Sequence, residues 1–239
     1  DVFYDIKESA DGGFIIVGST RSMGSGRGNI LLVKLDQDLN TSWIKTIGNS
    51  GYYYGYRVLA ESDGYVIAGY TSESTFGGYD NLLIRTDEQG NVVWANNYGA
   101  KRYDLTKSLT KDVDGGYIIA GYTSSYGVSR YDGFVMRTDS FGYRLSSYVL
   151  GGSGYDYITD VRQKPNGDII LAGYTNSFGN NMSGMLIYAD KNFTTVTGKL
   201  FDGSSYDAIL GMDMDDSGNI LLTGVTNSFG AGYGDVFTI

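Results

Sequence analysis

One phrase of about ten residues is written five times along the chain. It reads DGGFIIVGST from Asp11, DGYVIAGYT from Asp63, DGGYIIAGYT from Asp114, NGDIILAGYT from Asn166 and SGNILLTGVT from Ser217. Its glycine falls at Gly18, Gly69, Gly121, Gly173 and Gly224, spacings of 51, 52, 52 and 51 residues, and a threonine follows two positions later each time. Two further columns keep this period: Asp36, Asp87, Asp139 and Asp190, and the pairs Tyr103-Asp104, Tyr155-Asp156 and Tyr206-Asp207. Self-similarity at periods of about 20–50 residues marks solenoids, propellers and arrays, in which a unit too small to bury its own apolar faces stacks on its neighbours.

Four strands are read in each unit. Strand A precedes the phrase, as in Ile209 to Asp213, where Ile209 and Gly211 are expected on one face and Leu210 and Met212 on the other. Strand B is the phrase itself, nearly all apolar and therefore expected to be buried on both faces. Strand C is the run ILLVKLD and its counterparts LLIRTD, FVMRTD and MLIYAD, and strand D follows with Trp43 and Trp94 in the first two units. Asp-Gly and Asn-Gly pairs punctuate A and B, as hairpins require. No stretch sustains a helical period. With 36 glycines, one proline and 22 tyrosines in 239 residues, the composition suits short strands joined by tight turns. Four short antiparallel strands recurring at about 50 residues predict an all-β fold, a β-propeller of about five four-stranded blades. Small residues at Ala68, Ala120 and Ala172 let neighbouring blades approach.

In this frame the units are 1–52, 53–103, 104–155, 156–206 and 207–239, read as a single propeller domain of 19 strands whose fifth blade lacks strand D. Two readings of that blade stand: the chain is a piece of a longer one with six or more blades, or a partner strand completes the edge formed by Asp235, Val236, Phe237, Thr238 and Ile239, because an open edge invites strand addition. A first residue Asp1 in place of methionine is expected of a processed or fragmentary chain.

The consensus DGGYIIAGYT, then a Gly/Ser/Tyr loop, then LIRTD and GNVVW, then a GGSGYDY-like turn resembles the tandem propeller repeats of secreted and cell-surface proteins of bacteria and archaea. The resemblance covers essentially the whole chain. It implies an extracellular module and supplies no catalytic residues. The third and fourth units depart from it by lacking the strand D tryptophan.

Several classes of chemistry are disfavoured by composition. There is no cysteine and no histidine, which removes thiolate sites, the commonest general base and the commonest transition-metal ligand. The net charge of −9 and the absence of a basic cluster argue against nucleic acid, and the apolar runs are too short for membrane insertion. No cofactor or metal is expected. The aspartates Asp36, Asp87, Asp139 and Asp190 read as turn initiators that bond their own backbone. The segment DMDDSGN (213–219) opens like a calcium loop, but Gly224 stands where a bidentate glutamate is needed. Glu61, Glu73 and Asp160 are carboxylates without an evident catalytic partner.

The B–C and D–A loops are expected to emerge at one end of the blades. They are rich in Tyr, Asn, Ser and Gly, the mixture of protein-binding loops and carbohydrate sites. Tyr79, Tyr131, Tyr233, Tyr103, Tyr155 and Tyr206 are the candidate contact residues, set against a purely packing role for the repeated Tyr-Asp. Asn40, Asn181 and Asn192 head glycosylation acceptor patterns in expected loops. The function expected is a non-catalytic extracellular or cell-surface scaffold. It would bind a protein partner or copies of itself, as a surface-layer or filament subunit would. A glycan-binding propeller is the alternative, and a glycoside hydrolase a further one.

Overall fold

The computed structural model describes residues 1–73, 77–128, 130–179, 181–215, 217–230 and 234–239. Among them are nineteen β-strands and no helix. The first repeat holds β1 (Val2–Glu8), β2 (Phe14–Thr20), β3 (Asn29–Leu35) and β4 (Thr41–Ile47). The second holds β5 (Tyr53–Glu61), β6 (Gly64–Thr71), β7 (Asp80–Thr86) and β8 (Val92–Tyr98). The third holds β9 (Asp104–Lys111), β10 (Tyr117–Thr123), β11 (Asp132–Thr138) and β12 (Arg144–Leu150). The fourth holds β13 (Asp156–Gln163), β14 (Ile169–Thr175), β15 (Ser183–Ala189) and β16 (Val196–Phe201), and the fifth β17 (Asp207–Met214), β18 (Ile220–Thr226) and β19 (Asp235–Thr238). Each repeat is its own antiparallel sheet in sequence order, four-stranded in the first four and three-stranded, β17-β18-β19, in the fifth. The strands divide into two compact units: Asp1–Leu109 with the turn Ser140–Tyr143, and Thr110–Asp139 with Arg144–Ile239.

Strand B is buried as its composition requires: Ile67, Ala68, Ile118, Ile119, Ala120, Ile170, Leu171 and Ala172 are all inaccessible. In the first unit Ile15, Val17, Ile30 and Leu32 pack with Val58, Ile67 and Ile84, joining the first two sheets. In the second, Val135 packs with Ile158, Val161 and Leu171, and Ile170 and Ala172 with Ile209 and Met212.

The glycine column has a steric cause. A Cβ on Gly18 would lie 2.0 Å from Val2 O, on Gly69 1.8 Å from Tyr54 O, on Gly173 1.9 Å from Tyr157 O and on Gly224 2.0 Å from Ala208 O. Strand A comes this close because it carries a bulge next to the glycine, with register shifts between Phe3 and Asp5, Gly55 and Arg57, Ile158 and Asp160, and Ile209 and Gly211. A bulge sets two residues against one on the partner, so the alternation of faces slips by one. The simple alternation expected for Ile209 to Asp213 is corrected here: Ile209 and Met212 are both buried and Leu210 is exposed.

Strand D latches onto the C–D turn of the following repeat. The Trp43 ring rests on Gly90, and the Trp94 ring on Gly142, where a Cβ would come within 2.8 Å and 2.7 Å of the indole. In the third repeat, which lacks the tryptophan, Tyr148 stacks on Phe193 at 4.2 Å and its hydroxyl donates to Asn192 O. Gly90 and Gly142 adopt positive φ; Leu39 (66°) and Phe193 (55°) hold the same left-handed conformation at the same turn position. The aspartates that open these turns bond as expected: Asp36 accepts Asn40 N, Asp87 accepts Asn91 N and Asp190 accepts Thr195 N, each at 2.8 Å.

Candidate functional site

At the end of the strands opposite those turns, the D–A and B–C loops are tied together by backbone bonds. The first residue of strand A donates to the last residue of the preceding repeat's B–C loop: Tyr53 N to Gly28 O, Asp104 N to Tyr79 O, Asp156 N to Tyr131 O and Asp207 N to Met182 O. The D–A tyrosine is also held by its own strand B, through Ser72 N to Tyr52 O, Asn176 N to Tyr155 O and Asn227 N to Tyr206 O.

Carboxylates at the start of strand A anchor these loops, buried at Asp156 and Asp207 and exposed at Asp1. Asp156 accepts Thr175 Oγ1, Ser177 Oγ at 2.6 Å and Gly152 N at 3.0 Å. Asp207 repeats this with Thr226 Oγ1 and Ser228 Oγ, and Asp1 with Thr20 Oγ1 and Ser22 Oγ. The threonine two residues after the repeat glycine is thus one ligand of this carboxylate, and the serine two further on is the other. The second repeat inverts the parts: Tyr53 stands where the others have aspartate, Glu73 where they have serine, and Tyr53 OH donates to Glu73 Oε2 at 2.9 Å. Hydrogen bonds from Ser50 and Tyr53 hold the Glu73 carboxyl below its usual range.

Above these anchors lie two groups of tyrosines, one in each compact unit. In the first, Tyr79 stacks on Tyr103 at 5.8 Å and meets Tyr70 edge-on at 5.3 Å. Tyr70 in turn contacts Tyr54 at 4.9 Å and Tyr56 at 5.4 Å, and Tyr56 stacks on Tyr4 at 4.4 Å. Arg21 sits over Tyr52 at 5.7 Å, and Lys107 over Tyr56 at 4.1 Å. In the second, Tyr131 lies 6.2 Å from Tyr155 and 5.8 Å from Tyr157, Tyr157 contacts Tyr122 and Tyr174 at 4.8 Å each, and Tyr174 leads to Tyr206 at 6.3 Å. Burial pushes the phenols of Tyr79, Tyr157, Tyr174 and Tyr206 upward, so all four present neutral O–H groups at physiological pH. Burial and then the Arg57 charge hold the Lys107 ammonium below the ordinary lysine range.

The structure therefore brings Tyr79 together with Tyr103, and Tyr131 with Tyr155, while Tyr206 joins through Tyr174. Tyr233 lies outside the described residues. Tyr103 and Tyr206 are the more open rings, 44% and 38% exposed. Members absent from the sequence reading are Tyr70, Tyr122 and Tyr174, which belong to the repeated phrase, and Tyr4 and Tyr56 at the bulge. The signal for Tyr70, Tyr122 and Tyr174 was the GYT ending itself.

The other candidates are placed as follows. Asn40, Asn181 and Asn192 are exposed in turns and loops, with Asn40 Nδ2 donating to Asp36. Of the edge segment, Asp235 to Thr238 form β19, the last strand of its sheet, and Ile239 exchanges backbone bonds with Leu222. Glu61 pairs with Arg85 at 3.4 Å. Asp160 accepts Arg162 Nη1, Val161 N and Met212 N. Asp213 lies 3.8 Å from Arg162 and Asp215 caps its own turn by accepting Asn219 N.

No protein-family model matches the chain, and no curated protein matches it by sequence. Among solved structures, it is similar to a protein of unknown function from Bacteroides caccae, with a TM-score of 0.55 at 10% identity, over 94% of this chain and 71% of that one. It is also similar to a subtype N11 neuraminidase-like protein of A/flat-faced bat/Peru/033/2010 (H18N11), with a TM-score of 0.51 at 14% identity, over 92% of this chain and 63% of that one. At such identities the likeness concerns the fold alone. With the repeated antiparallel sheets, it makes the fold class a β-propeller of five blades, the fifth with three strands.

Proposed function

We propose that this chain is a non-catalytic interaction scaffold that works outside the cell or on its surface. It would meet a protein partner, or further copies of itself, through the tyrosine clusters at the loop ends of its blades. The observation that carries this reading is the ring-to-ring packing of tyrosines from consecutive repeats in both units, Tyr4 on Tyr56 and Tyr122 on Tyr157. Packed rings lose little conformational freedom on binding, and their hydroxyl rims adapt to varied partners, which is why tyrosine dominates protein-binding loops. Several features support a non-catalytic role: no histidine or cysteine occurs in the chain, and Glu61, Glu73 and Asp160 are engaged in local pairing. The extracellular setting draws on the repeat resemblance and on the exposed acceptor patterns at Asn40, Asn181 and Asn192. A filament or layer would draw also on β19, where Val236 is 80% exposed.

The test compares wild type with the double variant Tyr103→Ala, Tyr206→Ala in cells that produce the chain. External protease accessibility reports location and native gel migration reports complex formation, with circular dichroism as the folding control. Wild type is expected outside the cell in a complex, and the variant outside but released. A protected, internal chain would refute the location; unchanged migration of the variant would refute the tyrosine surface.

A further inference from the structure

The turn ends of the first two sheets, at the opposite end of the strands from the tyrosines, enclose a cavity of about 290 Å³ within the first compact unit. Beside it lies a strand C position at which the repeats differ. Lys34, Arg85 and Arg137 occupy one register position in strand C, opposite Ile15, Val66 and Ile118. In the third repeat Arg137 binds Asp112 through Nε at 2.6 Å and Nη2 at 3.0 Å, and Asp114 at 2.7 Å. Its Nη1 then crosses to Lys191 O in the next repeat's C–D turn at 3.2 Å, which closes that junction.

In the first repeat the shorter Lys34 cannot make this crossing. Its ammonium donates to Asp11 Oδ1 at 3.0 Å and to Leu35 O at 2.8 Å, and lies 2.8 Å from Asp11 Oδ2. Among the described residues no hydrogen bond runs from Lys34 to the next C–D turn, whose Glu88 and Gln89 line the cavity. The position of Asp112 is taken by Ser9: Ser9 N and Asp112 N make the same turn bond, to Gly13 O and Gly116 O. Ser9 is 7% exposed and lines the cavity, and among the described residues its Oγ faces the Tyr65 hydroxyl without completing a well-formed hydrogen bond. A buried hydroxyl left so costs free energy unless a ligand meets it. Trp43 and Tyr65 form aromatic walls, 6.1 Å apart and tilted by 59°.

The lining chooses the ligand. Lys34 is neutralised by Asp11, Glu61 pairs with Arg85, and Glu88 adds a negative charge, so an anion is repelled. An ammonium would be attracted but needs only acceptors, which leaves the buried Ser9 hydroxyl donor without a ligand acceptor. A neutral polyol both donates to the carboxylates and accepts from that hydroxyl, and its C–H face suits the indole and phenol rings. The volume lies at the small end of ligand sites, about 300–1,000 Å³, which suits one ring. We propose that this cavity is a carbohydrate subsite that takes a single neutral pyranose residue against Trp43 and Tyr65.

The test is a fluorescence titration of Trp94→Phe, which leaves Trp43 as the sole indole, with the methyl glycosides of glucose, galactose, mannose and N-acetylglucosamine, confirmed by saturation-transfer NMR on wild type. At least one glycoside is expected to shift Trp43 emission saturably. Lys34→Arg, which restores the closing residue of the third repeat, should weaken that binding at least tenfold with an unchanged urea midpoint. Ser9→Ala is the second variant: it should weaken binding several-fold with little loss of stability, because among the described residues the hydroxyl it removes completes no well-formed hydrogen bond. The proposal is overturned if no glycoside gives a saturable shift, if a folded Lys34→Arg or Ser9→Ala binds as well as its parent, or if methyl glucuronide or ethanolamine binds more tightly than every neutral glycoside.

Discussion

Replacing Asp156 by alanine probes the carboxylate that ties the fourth repeat's loops together. The side chain is fully buried and accepts three bonds, from Thr175 Oγ1, Ser177 Oγ and Gly152 N. Hydrogen bonds to a charged group contribute about 1.5–3 kcal/mol each. The donors cannot simply turn away, because Thr175 Oγ1 also receives Ser177 N at 2.9 Å and Ser177 Oγ receives Gly154 N at 2.9 Å. Taking the low end for each bond gives a loss of about 4.5 kcal/mol for Asp156→Ala. Ser177→Ala removes one of the three and the acceptor of Gly154, about 2 kcal/mol. The Asp156–Ser177 bond is then counted twice, so the double variant should fall short of the sum by about 1.5 kcal/mol. Both tryptophans lie in the first unit, so amide hydrogen exchange of β13 and β14, read by mass spectrometry, is the suitable assay. At tenfold per 1.4 kcal/mol, Asp156→Ala should exchange about 10³-fold faster. Additive effects, or an Asp156→Ala cost below about 1 kcal/mol, would refute the anchor.

Three further outcomes follow from the same geometry. Gly69→Ala places a Cβ 1.8 Å from Tyr54 O and should cost about 3 kcal/mol or more by overpacking, as a fall in the urea midpoint followed by tryptophan emission. Leu39→Gly relieves a left-handed, exposed leucine and should gain about 0.5–1 kcal/mol, whereas Phe193→Gly, at the equivalent position, should lose stability because it removes the stack on Tyr148; thermal unfolding separates the two. Burial would raise the Asp112 carboxyl, but bonds from Arg137, Asp114 N and Gln163 hold it below its ordinary value of 3.8. Its stabilisation is present above that value and lost as pH falls through the lower folded one, so exchange of β10 and β11 amides should accelerate more steeply below about pH 4 in wild type than in Asp112→Asn.

The blade plan was legible because it rests on period and burial. The phrase, its hairpin Asp-Gly pairs and the aspartates at 36, 87 and 190 each behave as local chemistry dictates. The bulge was not legible: nothing in the run around Leu210 marks the register slip, which depends on strand A closing against the backbone at Gly224. That slip also decides where Tyr4 and Tyr56 go, so the inner half of the first tyrosine cluster was hidden. The Tyr53–Glu73 exchange shows in an alignment of the repeats only as two anomalies, until the hydrogen bond between them joins the pair. The cavity beside Lys34 was out of reach for a similar reason. It depends on which groups the strand C cation meets: Lys34 stays with Asp11, whereas Arg137 also crosses to Lys191 O.

The most direct test of the tyrosine clusters as the working surface is hydroxyl-radical footprinting of the chain in its native setting and after purification. Tyr103 and Tyr206 should be oxidised several-fold more slowly in the native setting, while Phe141 and Leu145, exposed elsewhere on the strands and turns, react at equal rates in both. Equal labelling of Tyr103 and Tyr206 in the two samples would contradict the account.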